Sequence, residues 1–140
     1  MNYLSPDGGW FAYSSRESGR DELYVSPFSG SGRRWQVSTD GGQEPLWSPD
    51  GRELFYRDGR KVMVVPVRTQ PTFQPGAPRI LFEGRYYKDG LGPPGYDIAP
   101  DGQRFVMVQE PKEAAPEARQ IVYIPDFAEE LKAKMAAAEQ

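Results

Sequence analysis

Apolar positions along this chain come in short runs bounded by turn-forming residues. Trp10-Phe11-Ala12-Tyr13, Leu54-Phe55-Tyr56 and Phe105-Val106-Met107 form one set. Glu22-Leu23-Tyr24-Val25-Ser26-Pro27, Lys61-Val62-Met63-Val64-Val65-Pro66 and Gln120-Ile121-Val122-Tyr123-Ile124-Pro125 form a second, and every member of it ends in Pro. Runs this short, rich in aromatic and β-branched residues, predict strands. Only the last stretch changes period. Asp126 is placed to cap a helix with Glu129 three residues on, Phe127, Leu131 and Met135 recur every four residues, and Glu130 precedes Lys134 by four, so a helix is expected over 126–139.

Each member of the first set follows the same short stretch: Ser5-Pro6-Asp7-Gly8, Ser48-Pro49-Asp50-Gly51 and Ala99-Pro100-Asp101-Gly102, each preceded by a bulky apolar residue (Leu4, Trp47, Ile98). Pro presets φ and donates no N–H, while Asp-Gly supplies a side-chain acceptor and a residue free to take φ > 0, so each stretch reads as a hairpin turn. The anchoring aspartates recur at 7, 50 and 101, spacings of 43 and 51 residues. A repeat of that length suits a four-stranded propeller blade.

Laid on that repeat, the chain predicts an all-β domain of about three antiparallel blades, the last incomplete, plus the terminal helix. Blade one covers about 1–38, with strands near 1–4, 10–15, 22–28 and 33–38. Blade two covers about 43–83, with strands near 43–48, 53–57, 61–67 and 79–83. Blade three covers about 95–125, with strands near 96–99, 104–110 and 119–125 and no fourth strand. Residues 68–78, with Pro71, Pro75 and Pro78, read as a stiff surface loop, and Trp47, Phe11, Phe55 and Phe105 as core. The connection into blade three is six residues longer than the one before it, and Tyr86 and Tyr87 fall inside it.

Composition removes most catalytic chemistry. The 140 residues include no Cys and no His, so there is no thiolate nucleophile, imidazole base, disulfide or Cys/His metal site. A net charge of −3 argues against nucleic acid, which is held by clustered Lys and Arg. No run approaches the roughly 18 apolar residues of a membrane span, and the first residues have no signal-peptide pattern, which leaves the compartment open.

Three copies of (S/A)-P-D-G, each after a bulky apolar residue and before an aromatic-rich strand, resemble the WD40-like blades of TolB-like β-propellers. The ending, Tyr96 to Phe105 followed by a β-run and Asp126-Phe127-Ala128-Glu129-Glu130-Leu131-Lys132, is similar to the C-terminal part of the propeller in some bacterial Ser/Thr protein kinases. No kinase motif is present. The resemblance implies a role in sensing or partner binding, and an extracytoplasmic location if the chain follows its TolB-like relatives. Propellers of this kind usually have six or more blades, so two blade faces are left over. Self-association is expected, as two three-blade halves completing one ring, unless the missing blades belong to a longer parent chain.

With the four strands of each blade lettered A to D in chain order, the D–A and B–C loops of such a fold share one face, and that face holds the candidate binding residues: Arg16, Glu17 and Arg20; Arg57, Asp58 and Arg60; Arg85, Tyr86, Tyr87, Lys88 and Asp89. Tyr and Arg commonly anchor protein interfaces, so the expected partner is a protein or peptide. No catalytic residue, metal or cofactor is assigned. Gly90 to Gly95 matches G-x-G-x-x-G, but two prolines remove amide donors and a strand follows, so it reads as a loop. A carboxylate pair for glycoside hydrolysis among Glu17, Asp58, Asp89 and Asp97 has no spacing to single it out. Two alternatives stay open: the propeller of a prolyl-oligopeptidase-type serine peptidase, or a chain designed to show how blades assemble.

Overall fold

The computed structural model describes residues 3–87, 94–110 and 120–124. The expected helix over 126–139, and Lys88 and Asp89, lie outside the described residues. The rest is all-β, in three antiparallel sheets that follow the repeat. The first holds β1 (Trp10–Ser15), β2 (Glu22–Pro27) and β3 (Trp35–Gln36) in that order. The second holds β4 (Gln43–Trp47), β5 (Glu53–Asp58), β6 (Lys61–Arg68) and β7 (Gln74–Pro75), with β8 (Arg79–Glu83) also on β6. The third holds β9 (Tyr96–Ile98), β10 (Phe105–Gln109) and β11 (Gln120–Ile124). Residues 3–4 extend the first sheet: Leu4 bridges Phe11, and Ala12 N–H donates to Tyr3 O at 2.7 Å.

The three turns form as their sequence requires. The glycine N–H donates back to the residue before the proline in each (Gly8 to Ser5, 2.8 Å; Gly51 to Ser48, 2.9 Å; Gly102 to Ala99, 2.8 Å), with glycine φ of 74°, 71° and 70°. In the first two the buried serine hydroxyl does double duty. Ser5 Oγ donates to Asp7 at 2.5 Å and accepts from Trp10 N–H at 2.9 Å; Ser48 Oγ donates to Asp50 at 2.6 Å and accepts from Glu53 N–H at 3.0 Å. Ala99 has no hydroxyl, and there Arg104 Nε holds Asp101 at 2.9 Å instead.

These bonds favour the ionised carboxylates. Asp50 is held below the usual range by the Ser48 hydroxyl and then the Arg52 N–H, Asp7 by the Ser5 hydroxyl and then the Gly9 N–H. A folded pKa below the unfolded value means stability that is present above about pH 4 and lost as pH falls through the folded pKa. Ser48→Ala is expected to cost about 1 kcal/mol at pH 7 and to flatten the fall in stability between pH 5 and pH 2, both read from urea melts. An unchanged acid slope would show that the hydroxyl does not tune Asp50.

Alternation along each strand decides how the sheets stack. In the second sheet Leu54 and Tyr56 point one way and Phe55 the other, all buried. Leu54, Tyr56, Trp47, Val65 and Val67 pack on Ala12, Leu23 and Val25 of the first sheet. Phe55, Leu46, Val62 and Val64 pack on Tyr96, Ile98, Phe105 and Met107 of the third. The middle sheet is therefore buried on both faces and the outer two on one. This corrects one expectation: Phe11, the repeat equivalent of Leu54 and Phe105, is 37 % exposed, because no sheet among the described residues lies in front of the first.

The proline-rich connection is also more than a surface loop. Gln70, Pro71 and Thr72 are exposed, but Phe73 is buried with ring centroids 5.5, 5.6 and 6.3 Å from Trp10, Trp35 and Trp47. The loop thus adds an aromatic ring to the first interface, a role its proline pattern does not signal.

Candidate functional site

The β1–β2 loop, the β3–β4 connection and the β5–β6 turn meet at one rim of the first two sheets. Between them lies a cleft of about 220 Å³, lined by Arg20 and Asp21 from the first, residues 40–43 from the second, and residues 57–59 from the third.

The cleft wall is fixed by glycines and a buried carboxylate. A Cβ on Gly42 would lie 2.5 Å from Ser38 Oγ and 2.9 Å from Leu23 Cβ, so only glycine lets the connection approach the first sheet this closely. Gly41 has φ 121° and packs beside Asp58. Glu22, fully buried, accepts from Arg20 Nε at 2.6 Å, from the Ser38 hydroxyl and from Gly41 N–H at 3.2 Å. It ties loop, sheet and connection together.

Arg57 closes the floor and is itself buried. Its guanidinium lies 3.8 Å from Glu44 and donates to the carbonyls of Gly59 (3.1 Å), Tyr86 (3.3 Å) and Tyr87 (3.4 Å), with the Tyr86 ring beneath it at 5.9 Å. Glu44 reaches it by an unusual backbone: φ is 54° and the β4–β5 register shifts between Gln43 and Leu46. Arg57 therefore acts as a clamp on the connection between the second and third sheets.

The expected face is brought together only in part. Arg20, Arg57 and Asp58 line the cleft. Arg16 and Glu17 sit at its edge in the β1–β2 loop, Arg16 on Asp21 at 2.8 Å and Glu17 accepting from Arg34 at 2.7 Å. Arg34 in turn holds Glu17 below the usual carboxylate range. Arg60 and Arg85 are exposed nearby in sequence but do not line the cleft. Tyr86 packs edge-on against Phe82 at 5.8 Å, which makes it part of the second interface. Asp21, Asp40 and Gln43 line the cleft without having been singled out from sequence. The signal was the Asp40-Gly41-Gly42 connection, which is the same kind of D–A loop as the one holding Tyr86 but lacks the six-residue insertion that drew attention there.

The electrostatics of the cleft are set by what its cations are already doing. The Arg20 and Arg57 heads are engaged by Glu22 and Glu44, and the aspartates that line the cleft are paired as well, Asp21 with Arg16 at 2.8 Å, Asp40 with Arg20 at 3.7 Å and Asp58 with Lys61 at 3.8 Å. Tyr56, buried below, records the result: its phenol is pushed up to about 12, first by burial and then by Asp58, Glu22 and Asp40. Among the described residues no three carboxylates are arranged to hold a metal ion.

No protein-family profile matches the chain, and no curated protein does. Solved structures do. A TolB-type protein of Agrobacterium tumefaciens aligns with a TM-score of 0.60 at 18% identity over 90% of this chain and 45% of its own. TolB of Acinetobacter baumannii aligns at 0.56 and 17% over 88% of this chain and 29% of its own, and an oligogalacturonate lyase of Vibrio parahaemolyticus at 0.56 and 16% over 77% and 27%. The chain thus spans less than half the length of these proteins. It has the fold of a TolB-like β-propeller.

Proposed function

We propose that this chain is a propeller module that binds a protein or peptide partner at the rim formed by its B–C and D–A loops, without catalysing a reaction, and that the cleft between the first two blades takes a lysine or arginine side chain of that partner. The observation that carries this is the charge around a space of about 220 Å³: five carboxylates, Asp21, Glu22, Asp40, Glu44 and Asp58, are paired there with four cations, Arg16, Arg20, Arg57 and Lys61, which leaves a surplus of one negative charge. Such a space favours a cation that brings its own hydrogen-bond donors. The resemblance to kinase-borne propellers supports placing the module in a longer bacterial signalling chain.

Calorimetric titration with a ten-residue peptide carrying two arginines, against the same peptide with glutamates in their place, tests it. Only the arginine peptide should bind, and Asp40→Asn with Asp58→Asn should weaken it about tenfold. Equal binding of both peptides, or none, would rule the reading out.

A further inference from the structure

The two outward faces of the stack correspond, position by position, to the two faces that meet inside it. Counting from the turn aspartate, the residue at +4 faces the preceding blade (Leu54 towards the first sheet, Phe105 towards the second), and the residue at +5 faces the following one (Ala12 and Phe55). At the second interface these positions touch directly, Phe105 meeting Phe55 edge-on with centroids 5.0 Å apart. Carried one step further, the rule leaves Phe11 at the front of the first sheet and Val106 at the back of the third, 37 % and 43 % exposed.

The rest of each open face follows the same register. In front, Leu4 stands where Trp47 and Ile98 are buried, and Tyr3, Phe11, Tyr13 and Tyr24 form a continuous line of rings with centroids 5.8 to 6.4 Å apart. Behind, Val108 and the 71 % exposed Ile121 are cross-strand partners on the Val106 face. The turns add a second register. Pro6 lies 3.4 Å from where a Cβ on Gly51 would be, and Pro49 3.8 Å from that of Gly102, each proline covering the glycine of the next blade. Among the described residues no glycine packs against Pro100, and nothing lies within 4 Å of where a Cβ on Gly8 would be.

We infer that the back of the third blade docks on the front of the first blade of a second copy of this chain, and the reverse, so that two copies close one ring of six blades. Phe11 of one copy then packs on Val106 of the other, and Pro100 covers Gly8, as their equivalents do twice within the chain. The contact is head-to-tail, which closes as a ring because both copies use both faces. It concerns the blade faces and stands apart from the cleft described above.

Light scattering behind size exclusion, from 1 to 200 μM, reads the assembly, with circular dichroism confirming that each exposed-site variant folds. A discrete species at twice 15.8 kDa supports the inference; a monomer throughout, or a concentration-dependent ladder, overturns it. Phe11→Lys and Val106→Glu should each weaken the dimer more than tenfold, and mixing the two should restore it, since one interface is then native and the other pairs Lys with Glu. A dimer that survives Val106→Glu would be front-to-front, and the head-to-tail assignment would fall.

Discussion

Phe105→Ala is expected to destabilise the chain by about 3–5 kcal/mol, the range for removing a fully buried phenyl ring with limited collapse of the site. Phe105 has no exposed surface and stands at the centre of the second interface, within 5.0 Å of Phe55, 5.7 Å of Phe82 and 6.2 Å of Tyr96 between ring centroids. Among the described residues no other ring of this interface meets three aromatic rings. Since domains of this size have about 5–15 kcal/mol in total, the loss is large. Blade arrays are held by neighbour contacts, so it should fall unevenly. All three tryptophans, Trp10, Trp35 and Trp47, lie at or beside the first interface. In urea, the far-UV transition of the variant should move to lower denaturant while the tryptophan fluorescence transition lags behind it. A loss under 1 kcal/mol would mean that the third sheet is not packed on the second through this ring.

Arg57→Met carries a comparable cost for a different reason. The methionine roughly fills the space of the stem, but the substitution leaves the buried Glu44 carboxylate without its cation and strips the carbonyls of Gly59, Tyr86 and Tyr87 of their shared donor. Removing one member of a buried ion pair costs about 3–5 kcal/mol, mostly from the charge left behind. Glu44→Gln in the same chain should therefore recover part of the loss, giving a coupling of more than 1 kcal/mol in a double-mutant cycle from urea melts. Additive effects would show that the two groups do not act as a pair. The same residue illustrates why Tyr86 and Tyr87 are poor probes of binding alone. Tyr86 packs on Phe82 and beneath Arg57, so its truncation disturbs the clamp as well as the surface.

Much of this architecture is legible in the residues. The turn tetrapeptide places strand boundaries because its Pro and Gly permit only that backbone, and the two-residue alternation of Leu54, Phe55 and Tyr56 already shows a strand buried on both faces. What escaped reading depends on tertiary placement. Phe11 occupies a core position in the repeat yet is exposed, since burial requires a neighbouring sheet and not merely an apolar side chain. Phe73 sits among prolines that predict a surface path, and its burial follows from three tryptophans that converge only in the fold. Arg57 reads as a loop cation beside Asp58-Gly59; only the left-handed Glu44 backbone turns a carboxylate towards it. The cleft itself comes from loops of two blades, and no local spacing reveals that Asp21, Asp40 and Asp58 meet.

Whether a cationic side chain enters that cleft can be seen residue by residue. The measurement is an amide map: ¹⁵N–¹H spectra of the labelled chain during titration with the arginine peptide. The cleft reading predicts shifts concentrated at Arg20, Asp21, Gly41, Gly42, Gln43 and Gly59, absent with the glutamate peptide and needing about ten times as much arginine peptide in the Asp40→Asn, Asp58→Asn chain. Shifts centred instead on the blade faces around Phe11 or Val106, or spread evenly over the surface, would contradict it.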